Sequence, residues 1–144
     1  MPRLTTPYTH ETPILRLAIT GPHRPFALAG VVDSGADRTL LPLSVARSLG
    51  FPDTDLIPTP DGSGGAGNMW FPTWELPHSI KAHVIVPFPA PRGVELWGPE
   101  LTLNPEWAKD TVALFGRADF FDAFVVTFDQ KRTDGPEFHL DYPN

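Results

Sequence analysis

The sequence predicts a single β-rich domain, all-β apart from one or two short helices. Two observations carry that expectation. Eighteen prolines and twelve glycines cut the 144 residues into short segments, and no long stretch keeps a helical period. The length suits one domain covering 1–144. A content of 41% hydrophobic and 11% aromatic residues is enough to build a core.

Taken in order, residues 1–11 read as a polar, proline-bearing N-terminal arm. "ILRLAIT" (14–20) alternates, with Leu15, Leu17 and Ile19 on one face of a strand. After the turn "GPHRP", the stretch "FALAGVVD" (26–33) reads as a second strand, expected to pair with the first as a hairpin. "PLSVARSLG" (42–50) reads as a short helix: Pro42 suits its start, Leu43, Ala46 and Leu49 share a face, and Gly50 suits its stop. Residues 51–68 carry too many prolines and glycines to be regular throughout, whereas "MWFPTWEL" and "SIKAHVIVP" read as strands. Residues 87–110 read as a less regular segment interrupted by prolines. "VALF" (112–115) is a strand ending at Gly116, "RADFFDAF" a short helical turn, and "FVVTFD" (124–129) a strand back to which "EFHL" can pair.

The net charge of −6 argues against a nucleic-acid partner, which calls for a basic surplus or stripe. With no cysteine in the chain, disulfides, thiolate metal sites and thiol nucleophiles are excluded. The N-terminal residues lack the apolar core of a signal peptide, and the apolar runs are too short to span a bilayer. The default expectation is a cytoplasmic protein without a membrane partner. His10, His23, His78, His83 and His139 are scattered, and His78 and His83 do not have helical i,i+4 spacing, so no metal and no cofactor is expected.

Chemistry concentrates in "VVDSGADRTLLP" (31–42). Two valines lead a strand into Asp33, and the chain turns at once on Ser34 and Gly35. A carboxylate at the buried end of a strand is costly unless it is paired or used. Hydrolysis by carboxylates alone requires two, sharing one proton because like charges at close range do not both ionise. Only one Asp-Ser-Gly is present and there is no Asp-Thr-Gly, so the pair must come from a two-fold homodimer. Two further stretches matter: the glycine-rich "DGSGGAGN" (61–68), which lacks the Gly-Lys-Ser/Thr of a phosphate loop, and "ALFGRADFF" (113–121).

In this order and rough spacing, the three stretches resemble the retroviral-type (retropepsin-like) aspartic proteases of single-domain type, from about Thr12 to Leu140. The resemblance implies a single-lobe acid-protease barrel with a flap hairpin at 57–75, assembled as a two-fold homodimer acting on peptide or protein substrates. It implies Asp33, Ser34 and Gly35 as the catalytic tripeptide, with the Ser34 hydroxyl bracing the active-site loops across the dimer. Asp37 and Gly35 match positions that bond the substrate backbone, and Gly65, Ala66 and Gly67 would sit at the flap tip. Gly116 and Arg117 match structural support, with Asp37 as the expected partner of Arg117. Leu40, Ile57 and Val86 would suit apolar substrate side chains, Trp70 and Trp74 read as packing residues, and Asp119 and Asp122 as the solvated edge of a short helix. Two features depart from the family: the long 87–110 insert, and polar ends unlike the interleaved terminal strands that the resemblance implies. The alternative is a catalytically inactive or self-restricted dimerisation or peptide-binding module on the same fold.

Overall fold

The computed structural model describes residues 2–22, 25–60, 71–87, 93–131 and 135–143. Twelve strands and two short helices are present among them. The strands are β1 (Arg3–Pro7), β2 (Ile14–Thr20), β3 (Phe26–Val32), β4 (Leu40–Pro42), β5 (Ile57–Pro58), β6 (Trp74–Glu75), β7 (Ile80–Ile85), β8 (Leu96–Leu103), β9 (Glu106–Ala108), β10 (Ala113–Phe115), β11 (Val125–Asp129) and β12 (Glu137–Asp141). The helices are α1 (Leu43–Ser48) and α2 (Phe120–Ala123).

The larger sheet has nine strands in the order β5-β6-β9-β4-β10-β3-β2-β7-β8. Its centre is the expected antiparallel hairpin, in which Ile14 pairs with Val31 and Ile19 with Phe26. The alternation in β2 sends Leu15, Leu17 and Ile19 inward, each at most 2% exposed. Strand β3 also lies parallel to β10, with Gly30 opposite Ala113. A Cβ on Gly30 would lie 2.6 Å from the Phe115 ring, so the two strands approach closely only because position 30 has no side chain. Trp107, Phe115, Phe120 and Phe138 are fully buried and fill the space between the larger sheet, α2 and the smaller sheet.

The smaller sheet, β1-β12-β11, joins both ends of the chain. The polar arm expected at 1–11 is a strand over Arg3–Pro7, and it pairs antiparallel with β12 from Arg3↔Asp141 to Pro7↔Glu137. The Arg3 guanidinium donates twice to Asp141, at 2.9 and 3.0 Å. The terminal strands are therefore partnered within one chain.

Two other expectations change. Among the described residues of 87–110, regular strand prevails: the eight-residue β8 pairs with β7, and β9 pairs with β4 and β6. Strand β8 accommodates Pro99 because it is the edge of its sheet and because Pro99 falls in the break of the β7–β8 register, between Trp97 and Leu101, where no ladder partner is lost. The strand read over 69–76 is limited, among the described residues, to Trp74 and Glu75. No helix among the described residues is long and apolar enough to cross a membrane.

Candidate active site

Strand β3 delivers Asp33 to a loop folded around the end of β10. The Asp33 amide donates to the Phe115 carbonyl at 3.0 Å, which continues the β3–β10 pairing by one residue. The loop then closes on itself: the Ala36 amide donates to the Asp33 carbonyl at 3.2 Å, and the Gly35 amide to Asp33 Oδ1 at 2.8 Å. One carboxylate oxygen thus shapes the turn, as aspartates do in tight turns. Asp33 is half-buried, Ser34 and Gly35 are exposed, and Ala36 is fully buried with Leu40, Ala108 and Leu114. A Cβ at position 35 would lie 3.2 Å from Asp33 Oδ1, so glycine keeps that oxygen uncrowded.

The loop is strapped to the turn after β10. The Arg117 amide donates to the Ala36 carbonyl and the Ala118 amide to the Asp37 carbonyl, both at 2.9 Å. This requires glycine at 116, where a Cβ would fall 2.4 Å from the Arg38 carbonyl carbon and oxygen. The Arg117 guanidinium pairs with Asp37, so the structure brings that pair together. Both side chains are mostly exposed, at 60% and 77%, and such a pair adds little stability.

Several residues that sequence reasoning overlooked also hold the loop. Arg38 donates to Glu75 at 3.0 Å, to Glu106 at 3.1 Å and to the Asn104 carbonyl at 2.9 Å. Through Glu75, it ties the loop to β6. Thr39 is fully buried; its hydroxyl accepts from the Gly116 amide at 3.2 Å and donates to Asp119 at 2.5 Å.

Asp119 is not the solvated helix edge expected for it. Its carboxylate accepts from Thr39, from the Asn104 amide at 3.1 Å and from the Phe120 amide at 2.6 Å. Burial pushes its carboxyl above the ordinary value, against the opposing pull of those hydrogen bonds and of the Arg38 charge. Asp122 does stay exposed, and its carboxylate accepts from the Asp119 amide at 3.2 Å. A legible signal existed: an acid, two residues, then an acid ahead of a helical turn has the spacing of a capping box.

Gly65, Ala66 and Gly67, read as the flap tip, lie outside the described residues, as does Trp70. The described flanks form the base of a hairpin, with Ile57 opposite Glu75, Pro58 opposite Trp74, and the Thr59 amide donating to the Thr73 carbonyl at 2.9 Å. Trp74 packs on the core with Lys109 over its ring, as the packing reading expects. Leu40, read as a substrate contact, is instead enclosed in the core at 1% exposure. Ile57 is exposed and Val86 half-buried.

One histidine, His139, has two acidic neighbours. Strand pairing gathers His139 with Asp129 and Glu137, their ligand-type atoms all within 4.8 Å of one another, while His139 Nδ1 lies 2.9 Å from the Thr5 hydroxyl. That group is in the smaller sheet, whereas Asp33 ends a strand of the larger one, and it is no part of the Asp33 loop.

No family model matches the chain, and no curated protein matches it in sequence. Among solved structures it is similar to a retropepsin-like aspartic protease from Rickettsia conorii. The likeness has a TM-score of 0.61 and 17% identity, covering 98% of this chain and 91% of that one. At that identity the likeness is one of fold: a mostly β, acid-protease-like chain with two short helices.

Proposed function

We propose that the chain is an aspartic endopeptidase whose dyad forms when two copies bring their Asp33 residues together across a two-fold axis. The observation that carries this reading is the loop itself. A half-buried carboxylate sits at a strand end, shaped by Gly35 and strapped through Ala36 and Asp37 to the turn after Gly116. A carboxylate used only to shape a turn needs none of that support.

In the dimer, one Asp33 is ionised and takes a proton from a bound water as the water's oxygen attacks the peptide carbonyl. The other is protonated and donates to the carbonyl oxygen. Collapse of the tetrahedral intermediate breaks the C–N bond, and a proton passes to the departing amine. The substrate lies extended between the two loops, with Gly35 and Asp37 as backbone contacts. Gly116, Arg117 and Arg38 hold the loop without touching substrate.

The test is Asp33→Asn, read by sedimentation and by digestion of a peptide library. The expected variant sediments as the wild type does and cleaves nothing. A variant that cleaves at the wild-type rate overturns the dyad.

A further inference from the structure

We infer that Asp119 is a positioning residue for Asp33: its carboxylate, joined to Thr39, Asn104 and the Phe120 amide, sets the catalytic loop against the Gly116 turn. The inference rests on the proposed protease reading for its functional consequence, and on geometry alone for the tie itself.

Two links between side chains cross from the loop to this turn among the described residues. Arg117–Asp37 is exposed on both sides, so solvent screens it and either partner can swing away. Thr39–Asp119 is the more protected of the two, because Thr39 has no exposed surface and Asp119 is half-buried. A hydrogen bond to a carboxylate in that setting is short and directional. The Thr39 hydroxyl is a relay, since it accepts from Gly116 and donates to Asp119. The amides of Arg117 and Ala118, which follow Gly116, are the ones that grip the loop carbonyls at 36 and 37. Asp119 Oδ2 extends the same anchor to Asn104, between β8 and β9. The inserted segment is thereby coupled to the loop.

The backbone at Asp119 is the second, independent sign. Its φ of 71° and ψ of −67°, with the Phe120 amide donating to the Ala118 carbonyl at 3.1 Å, make a γ-turn of the positive-φ kind. That conformation is rare and strained for a residue with a Cβ, and glycine adopts it freely. An aspartate held there against strain is accounted for by what its carboxylate bonds.

The test compares Thr39→Val, Thr39→Ser, Asp119→Gly and wild type by amide hydrogen exchange and by steady-state cleavage of a peptide. Asp119→Gly relieves the backbone while deleting the carboxylate, so a role limited to fitting the turn predicts no loss. The tie predicts exchange at Gly116, Arg117 and Ala118 faster by about tenfold or more in Thr39→Val and Asp119→Gly. Amides of β2 and β7 keep wild-type protection, and Thr39→Ser restores it at the turn. Cleavage in the two loss variants falls in kcat by about 10–100-fold with KM nearly unchanged, as misplacement of a reacting group does. Wild-type exchange at those three amides in both variants overturns the inference, as does an equal loss across the whole sheet. If wild-type protein cleaves no peptide, the protease reading falls, and the exchange pattern still decides the tie.

Discussion

Replacing Gly116 with alanine puts a methyl group where the loop backbone already is. The new Cβ would stand 2.4 Å from the carbonyl carbon and oxygen of Arg38 and 2.9 Å from the Ala36 carbonyl oxygen. All three atoms belong to the main chain, so no rotamer change makes room. Restoring van der Waals contact requires the 36–38 segment to move by roughly 1 Å, as overpacked sites do at a typical cost of about 1–3 kcal/mol. That movement stretches two straps, Arg117 amide to Ala36 and Ala118 amide to Asp37, now at 2.9 Å. Each is worth about 1 kcal/mol net, so the expected loss is about 2–4 kcal/mol. Urea unfolding reads this directly as a lower midpoint. Peptide cleavage reads it separately: a displacement of about 1 Å at Asp33 lowers kcat by about 100-fold. Gly116→Ala unfolding within about 0.5 kcal/mol of wild type, the range of an inconsequential surface change, would refute the steric reasoning.

Further outcomes follow from the charged groups. The Arg3 guanidinium beside Asp141 holds that carboxyl below its ordinary value, so the folded chain binds this proton less readily than the unfolded one. The stability it contributes is present above the unfolded carboxylate value of about 3.9 and is lost as pH falls through the depressed folded value. Urea midpoints at pH 7 and pH 3 should therefore drop further for wild type than for Asp141→Asn; equal drops would contradict the pairing. Asp119 has the opposite sign, because burial raises its folded value and makes the ionised form unfavourable near neutrality. As pH falls through that raised value, wild type should gain stability relative to Asp119→Asn, and a pH-independent difference would contradict the burial.

The parts of the fold that the sequence displayed were those whose cause is local. The alternation in 14–20 and the apolar approach to Asp33 are consequences of side-chain period, and both appear as β2 and β3. Strand β8 was hidden because Gly98 and Pro99 interrupt its pattern, and such a strand survives only as a sheet edge, a fact of topology. The arm at 1–11 was hidden for a similar reason: its polar side chains are matched by β12, more than a hundred residues away. At the site, Asp33, Gly35 and Gly116 stand out because chemistry and backbone geometry demand those residue types at those places. Thr39, Arg38 and Asp119 do not. Their roles come from partners such as Asn104 and Glu75, distant along the chain, and an aspartate beside phenylalanines reads equally well as a helix edge.

The claim that one chain holds half a dyad is tested most directly by mixing subunits. Wild-type chain is equilibrated with increasing excess of Asp33→Asn chain, and peptide cleavage is followed per wild-type chain. If each active site needs two copies of Asp33, cleavage per wild-type chain falls toward zero as wild-type pairs become rare. If cleavage per wild-type chain stays constant at every excess, each chain acts alone and the shared dyad is wrong.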